Sequence, residues 1–202
     1  MTPREALDRG VSELSIAMPD GATDRLVAYL ELLGKWNRTY NLTAIREPLA
    51  MVSHHLLDSL AVLPHLPMTE QSASLADAGS GAGLPGIPLA LARPGWRVAL
   101  AEASQKKAAF LRQAVIELRL ANVEVYEGRV ESWRPAQRFA IVISRAFAQL
   151  SDFLAACRHL VAPGGRLAAM KGHRPDDAGS CTVIRLRVPS LEAERHLVLC
   201  PA

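Results

Sequence analysis

The spacing of apolar residues divides the chain into a helical first part and a second part in which strands and helices alternate. In the first part, apolar positions recur every three or four residues, which predicts amphipathic helices. The first helix begins with a capping box at Thr2, and a third one begins at Pro48 and runs to about Leu63. The polar residues 69–72 are predicted to be a linker, so we expect residues 1–68 to form an N-terminal helical extension.

From residue 73 onward, short aliphatic runs alternate with helical segments, which is the pattern of a parallel sheet with helices on its faces. The last two runs are too close in sequence for a crossover helix between them, so they are expected to pair antiparallel. The predicted strands span residues 74–78, 97–102, 123–127, 139–144, 166–171, 182–188 and 195–200. The predicted helices span residues 84–92 and 104–119 and the segment after the fourth strand to about residue 160, and a Pro-Gly-Gly turn at 163–165 leads into the fifth strand. Residues 69–202 are therefore predicted to form a Rossmann-like α/β domain: a mostly parallel seven-stranded sheet with an antiparallel C-terminal hairpin.

Composition narrows the function only a little. The formal net charge is +3, with 23 basic and 20 acidic residues among 202, which permits an RNA partner without demanding one. No apolar run approaches the roughly 20 residues that span a bilayer, and the N-terminus does not resemble a signal peptide, so we expect a cytoplasmic protein without a membrane partner. Cys157, Cys181 and Cys200 form no metal-binding pair and are expected to be thiols in a reducing cytosol, without a metal site.

The string Asp-Ala-Gly-Ser-Gly-Ala-Gly-Leu-Pro-Gly at 77–86 lies where the first strand turns into its helix. Glycines there let the backbone bend tightly and approach a ligand closely, and the helix N-terminus adds free N–H groups. The string also contains a GxGxxG pattern, so alone it fits either a nicotinamide cofactor or S-adenosylmethionine.

Asp77 and the C-terminal hairpin favour S-adenosylmethionine, whereas the second acid, Glu102, fits either cofactor. Asp77 precedes the glycines, and its carboxylate is expected to face the cavity and order the amino end of that cofactor. Glu102 ends the second strand, where an acid can accept both ribose hydroxyls. The loop with Val130 and Glu131 is expected beside the adenine, and Arg145, after the fourth strand, is expected at the mouth of the site. An antiparallel hairpin closing the sheet is the layout of class I methyltransferases.

Several strings outside the glycine turn are specific to one family. The chain resembles the bacterial small-subunit rRNA guanine-N7 methyltransferases, the glucose-inhibited division protein B family. The matching strings run in order over nearly the whole chain: Lys-Trp-Asn at 35–37, Tyr-Asn-Leu-Thr at 40–43, His-Leu-Leu-Asp-Ser at 55–59, the glycine string at 77–86, Lys106, Phe-Leu-Arg at 110–112, Val-Ile-Ser-Arg-Ala-Phe at 142–147, Lys-Gly at 171–172 and Glu-Arg-His-Leu-Val at 194–198.

This resemblance implies methyl transfer from S-adenosylmethionine to N7 of one guanosine in the decoding-region loop of 16S rRNA. The partner is then 16S rRNA or a small-subunit precursor, and we expect the protein to act as a monomer. Together with the glycine and acid pattern, the resemblance gives a predicted cofactor-binding set of Gly79, Gly81, Leu84, Glu102, Val130, Glu131 and Arg145. The residues predicted to contact RNA are Asn41, His55 and Lys171, of which Asn41 and His55 are polar residues in apolar surroundings.

Two departures from the family pattern concern the RNA side. An arginine usually precedes the histidine of the 55–59 string, and His54 stands there instead, which is expected to weaken a phosphate contact and make it pH-dependent. The segment 173–181 is also shorter than the family's.

The proposed chemistry needs no general base, because guanine N7 is an acceptor lone pair without a proton. Arg145 is therefore expected to act as a positioning group that binds the cofactor carboxylate or guanine O6. The candidates for a basic rim around the mouth of the site are Lys35, Arg38, Arg46, His54, His55, Lys171 and Arg174.

Three alternatives to an rRNA methyltransferase are a small-molecule methyltransferase of the same fold, a nicotinamide-dependent oxidoreductase and a non-enzymatic RNA-binding module. The hairpin and Asp77 argue against the oxidoreductase, and the intact cofactor turn argues against the binding module.

Overall fold

The computed structural model describes residues 1–68, 73–176 and 178–202 of the chain. The predicted linker at 69–72 lies outside these residues, so the division of the chain at that point stays a prediction. Within the described ranges, no helix is long and apolar enough to cross a membrane.

The N-terminal part begins with two helices, α1 (Pro3–Glu13) and α2 (Ala22–Tyr40), as the apolar spacing predicted. The capping box of α1 is present, because the Glu5 N–H donates to the Thr2 hydroxyl and the Thr2 N–H donates to the Glu5 carboxylate. These two reciprocal bonds satisfy donors that the first turn of a helix leaves free.

The predicted third helix is not one continuous α-helix. It consists of α3 (Pro48–Met51), a π-helical segment (Val52–Leu57) and α4 (Asp58–Leu60), and a 3-10 turn follows at Leu63–His65. A π-helical turn accommodates one extra residue and is frequent at functional sites. The apolar spacing of this stretch fits a continuous helix and gave no sign of the π-helical segment.

The second part is one seven-stranded sheet of order β3-β2-β1-β4-β5-β7-β6. The first five strands run parallel, and β7 runs antiparallel to both of its neighbours, which confirms the predicted Rossmann-like sheet and its C-terminal hairpin. The strands are β1 (Ser74–Ala78), β2 (Arg97–Glu102), β3 (Val123–Glu127), β4 (Phe139–Ser144), β5 (Val161–Lys171), β6 (Thr182–Leu186) and β7 (Arg195–Pro201). The helices between them are α5 (Gly86–Ala92), α6 (Gln105–Glu117) and α7 (Leu150–Cys157), with 3-10 turns at Val130–Ser132 and Arg158–Leu160.

The fifth strand begins earlier than predicted. Its first residue, Val161, pairs with Phe139, and the register then shifts so that Arg166 pairs with Ile141. The Pro-Gly-Gly sequence therefore forms an irregularity within the strand, with Gly164 at φ +77°, where glycine is favoured. Turn-forming residues alone do not distinguish a bulge from the end of a strand.

The two faces of the sheet carry different side chains. Successive residues of a strand point to opposite faces, so Leu75 faces one side and Ala76 the other. The face with the larger aliphatic residues packs against α1, α2, α5 and α6 in one continuous core, and the alanine-rich face packs against α7 and a group of aromatic rings. The N-terminal helices are thus held to the sheet by a shared core.

One expectation about the cysteines is wrong. Cys181 and Cys200 form a disulfide with their Cα atoms 4.3 Å apart, while Cys157 is a free buried thiol. The antiparallel pairing of β6 with β7 places Thr182 opposite Leu199, so Cys181, directly before β6, lies opposite Cys200 in β7. The two cysteines are 19 residues apart in the sequence, and that distance alone does not predict a disulfide, because the pairing depends on the register of the hairpin.

Gly10 shows how closely α1 packs against the π-helical segment. A Cβ at Gly10 would lie 2.3 and 2.7 Å from the two Cδ atoms of Leu57, whose side chain is buried. We predict that Gly10→Ala destabilises the protein by about 1–3 kcal/mol through overpacking, although alanine is the better helix former. The matched control is Gly34→Ala in α2, where the part of the chain that the structure describes places nothing within 4 Å of the new Cβ. That control is expected to gain about 0.5–1 kcal/mol in chemical unfolding, and equal effects of the two changes would contradict the packing argument.

Candidate active site

A cleft of about 200 Å³ lies at the carboxyl ends of β1, β2, β3 and β4. Ligands of open α/β sheets bind at this edge, because the loops after the strands meet there. We call it the glycine cleft, and its lining consists of Gly79, Ala101, Glu102, Ala103, Gly128, Arg129, Val130, Glu131, Ala146 and Phe147.

The turn after β1 has left-handed backbone at Gly79 (φ +73°) and Gly81 (φ +58°), conformations that other residues rarely adopt. Glu102 holds this turn from the neighbouring strand, because its carboxylate accepts hydrogen bonds from the Gly81 N–H at 2.9 Å and the Ser104 N–H at 2.8 Å. A carboxylate has about four acceptor positions, so Glu102 keeps capacity for hydroxyl donors in the cleft.

Asp77 does not line the cleft, contrary to the expectation from sequence. Its side chain is completely buried under the turn, where Oδ2 accepts a hydrogen bond from the Gly86 N–H at the start of α5. Oδ1 has no hydrogen-bond partner among the described residues. Burial raises the pKa of this carboxyl to about 7, against the opposing effects of the Gly86 bond and of Arg145. Alternation along β1 explains why Asp77 does not face the cleft. Its side chain points to the same face of the sheet as Leu75, and α5 covers that face.

The N-terminal helices also contribute to the glycine turn. Tyr29, in α2, is fully buried, and its hydroxyl donates a 2.7 Å hydrogen bond to the carbonyl oxygen of Ala82. The same helix places the Arg25 guanidinium on the carbonyl of Leu118 at the end of α6. The turn is therefore supported from a part of the chain that precedes it by about fifty residues.

A second cavity, of about 340 Å³, lies on the other side of the segment that follows β4. We call it the arginine cavity, and it is lined by Ile45, His54, His55, Asp58, Arg145, Met170, Lys171, Gly172 and Arg195. Arg145 lines this cavity, while its neighbours Ala146 and Phe147 line the glycine cleft. One short backbone segment thus separates the two sites.

Two side chains hold this segment in place. The Lys171 ammonium donates to the carbonyl oxygens of Phe147 and Ala148 at 2.7 and 2.9 Å. The Ser144 hydroxyl donates to the carbonyl oxygen of Ala78 at 2.6 Å and accepts the Ala146 N–H at 3.1 Å. Lys171, which was predicted as a phosphate contact, therefore also has a structural role at the wall between the two cavities.

The two other predicted RNA contacts lie in different surroundings. His55 is buried, its Nε2 lies 2.9 Å from the Thr43 hydroxyl, and its Nδ1 has no partner in the described parts of the chain. Burial, together with the nearby Arg145 charge, lowers the pKa of His55 to about 4, so it is neutral at pH 7 and adds no charge to a basic rim. Asn41 is exposed at the end of α2 and accepts a hydrogen bond from Arg46, so the expected apolar surroundings of Asn41 are wrong.

The structure brings four of the seven predicted cofactor-binding residues together in the glycine cleft: Gly79, Glu102, Val130 and Glu131. Gly81 and the buried Leu84 belong to the turn behind its lining, and Arg145 lies in the arginine cavity. No group of three or more potential metal ligands occurs among the residues with described positions.

Comparison with protein families matches residues 22–198 to the family described as rRNA small subunit methyltransferase G, also called GidB. Two proteins of that name are similar along almost the whole chain. The one from Burkholderia thailandensis is 49% identical over 209 residues, covering 98% of this chain and 90% of the relative, and the one from Burkholderia pseudomallei strain 668 is 50% identical over 210 residues with the same coverage. The chain belongs to the rRNA small subunit methyltransferase G family.

Solved structures support the fold of this family member. A predicted O-methyltransferase from Agrobacterium tumefaciens superposes with a TM-score of 0.54 at 24% identity, covering 71% of this chain and 77% of that one. A SAM-dependent methyltransferase from Aquifex aeolicus gives 0.52 at 17% identity, covering 71% and 89%. The family and the fold together confirm the predicted enzyme class, a methyltransferase of the Rossmann-like class I type.

Three side chains of this GidB-family site were not predicted individually: Tyr29, Asp58 and Arg195. Asp58 and Arg195 stand in strings that carried the family resemblance, but no role was assigned to them. A signal existed for Asp58, because an acid between Leu57 and Leu60 in a buried helix needs a cationic partner. Tyr29 gave none, since an aromatic residue on an apolar helix face fits an ordinary core.

Tyr29→Phe tests the support that α2 gives to the glycine turn. The change removes one hydroxyl and leaves the Ala82 carbonyl without its donor, which is expected to weaken S-adenosylmethionine binding by about three- to tenfold, equivalent to roughly 1 kcal/mol. Calorimetric titration measures the affinity. Tyr40→Phe, at an exposed position of the same helix, is the control and is expected to bind like the parent protein. Equal affinities of all three proteins would contradict a role for Tyr29.

Asp77→Asn tests the buried carboxyl through the pH dependence of stability. Between the ordinary pKa of 3.8 and about 7, the folded protein keeps the proton that the unfolded chain releases, so the wild-type protein loses stability as the pH rises through this window. The asparagine does not titrate, so the free energy of unfolding of the variant relative to wild type is expected to rise by on the order of a few kcal/mol between pH 5 and pH 8. His55 has the opposite slope between pH 4 and 6.5, but it is present in both proteins and cancels. Parallel pH profiles in urea unfolding would show that the prediction is wrong.

Proposed function

We propose that this protein transfers a methyl group from S-adenosylmethionine to N7 of one guanosine in the decoding-region loop of 16S rRNA. The observation that carries the proposal is the placement of two cavities on opposite sides of residues 145–147, one with a glycine turn and a carboxylate and the other with an excess of cations. A methyl donor and an RNA nucleotide need such adjacent but chemically different sites.

The glycine cleft fits the cofactor. A Cβ at Gly79 would lie 2.9 Å from the Ala146 Cβ, so only glycine leaves the space between the two segments open. Glu102 is the candidate to accept the ribose hydroxyls, and Val130 and Glu131 are the candidates to contact the adenine ring. When bound, S-adenosylmethionine supplies a methyl group that its sulfonium centre has already activated, so the protein mainly has to orient the acceptor.

The arginine cavity fits RNA better than a neutral small molecule. Arg145, Lys171 and Arg195 bring three positive charges to it, against the single negative charge of Asp58, and His55 is neutral. Guanine N7 carries no proton, so no side chain needs to act as a general base. A base within paired RNA does not reach a site between two loops, so the target guanosine is expected to be looped out. A cytoplasmic location and action as a monomer are part of the same proposal.

The reaction is tested with the purified protein, labelled S-adenosylmethionine and small-subunit rRNA, both free and in the 30S particle. We expect one methyl group on one guanosine at N7, detected by mass analysis and by borohydride and aniline cleavage at that position. Gly79→Val is expected to abolish cofactor binding and transfer, and a thermal unfolding scan checks that it remains folded.

A methyl group on N1, N2 or a pyrimidine carbon would refute the proposal. Transfer to small molecules without transfer to rRNA would favour the alternative of a small-molecule methyltransferase.

A further inference from the structure

Asp58 is a buried acid that serves two arginines from separate elements. Its side chain is only 2% exposed, and each carboxylate oxygen has its own cation. Oδ2 accepts from Nη1 of Arg145, after β4, at 3.1 Å, and Oδ1 accepts from Nε of Arg195, at the start of β7, at 3.0 Å. The two guanidinium side chains are 30% and 23% exposed, so the acid lies behind them and they face the arginine cavity.

A second contact fixes the orientation of each guanidinium. Nη1 of Arg145 also donates to the carbonyl oxygen of His54 at 3.1 Å, and Nη1 of Arg195 donates to the carbonyl oxygen of Glu194 at 2.7 Å. The Nη2 groups of both arginines make no hydrogen bond with the described part of the chain. A planar guanidinium held at one edge presents its other N–H groups in a fixed direction.

The carboxylate is needed to keep these two cations together. Arg145 follows β4 and Arg195 begins β7, with β5 between these strands in the sheet. Their positive charges repel each other where both reach the arginine cavity, and the shared carboxylate offsets that repulsion with two charge-assisted bonds. The π-helical segment directly before Asp58 belongs to the N-terminal helices, so the arrangement exists only when those helices are packed on the sheet.

We propose that Asp58 is a positioning residue for RNA recognition: it holds Arg145 and Arg195 so that their remaining N–H groups bind oxygen acceptors of the target nucleotide. This inference rests on the proposed function and specifies how the arginine cavity recognises its substrate. Asp58 itself is not expected to contact the RNA, because it is buried behind the two guanidinium groups.

Asp58→Asn separates positioning from simple electrostatics. Removing one acid raises the net charge by one unit, and on charge alone the variant would bind RNA more tightly. The positioning role predicts the reverse: the Kd for small-subunit rRNA rises about tenfold or more, as expected for the loss of one charge-assisted hydrogen bond. The Kd for S-adenosylmethionine, measured by calorimetry, is expected to change less than twofold.

Glu124→Gln is the matched control. Glu124 pairs with Arg97 at 3.1 Å at the opposite edge of the sheet, so the change in charge is the same but the arginine cavity is untouched. This variant is expected to bind rRNA as tightly as the wild-type protein or slightly more tightly.

Arg195→Lys is the second test variant, because Asp58→Asn removes a buried charge and can affect folding. The lysine keeps the net charge but lacks the guanidinium edge that contacts Asp58 and Glu194. We expect this variant to remain folded and to bind rRNA at least several-fold more weakly than the wild-type protein.

Replacing the target guanosine of the RNA by adenosine distinguishes the two kinds of oxygen acceptor, because the base loses O6 while all phosphates remain. A loss in Asp58→Asn that is confined to the guanosine RNA indicates O6, and an equal loss with both RNAs indicates a phosphate. Unchanged or tighter rRNA binding by Asp58→Asn, or by Arg195→Lys if the first variant does not fold, would overturn the inference. A parallel loss of affinity of Asp58→Asn for S-adenosylmethionine would also overturn the inference, because it indicates that Asp58 has only a structural role. If the wild-type protein itself methylated no rRNA, the proposed function would fail instead.

Discussion

The Glu102 carboxylate accepts hydrogen bonds from Gly81 and Ser104, and thereby joins the ends of β1 and β2 where both leave the sheet. Parallel pairing of these strands brings the acid beside the turn, and the left-handed glycines let the turn fold back onto it. Asp77 holds the same turn from beneath through Gly86. Without these two carboxylates, the N–H groups of a tight turn would be buried without acceptors, which is costly.

The N-terminal helices complete both cavities as well as covering one face of the sheet. Through Tyr29 they reach the glycine turn, and through Asp58 they reach the loop after β4 and the start of β7. Because α1 and α2 share a continuous core with the sheet, the position of each contact is set by the packing of many apolar side chains. A change in that packing is therefore expected to reach both the cofactor and the RNA side of the site.

Parts of the fold and the site followed directly from local patterns. All seven strands, the hairpin and, to within two residues, the bounds of α5 and α6 were predicted, because apolar patterns and turn-forming residues act over a few positions. The placement of the glycine turn, Glu102, Val130 and Glu131 at one cleft was predicted for a related reason, because these residues lie at or just after the ends of parallel strands and such ends meet at one edge of the sheet. Their contacts with the cofactor stay a prediction. The bulge in β5, the π-helical segment and the disulfide were missed, because each depends on how distant segments align.

The sequence by itself determined the order of the elements, the family and the residue types available to the site. The tertiary structure decided the partner of each charge. Arg145 was expected to bind the cofactor carboxylate or guanine O6, and packing of the N-terminal helices places Asp58 next to it and directs it to the arginine cavity. His55 was assigned to a basic rim, but burial makes it neutral. The physical reason is the same in both cases: the charge and direction of a polar side chain depend on burial and on contacts between residues far apart in sequence, such as Asp58 and Arg195, which no local pattern encodes.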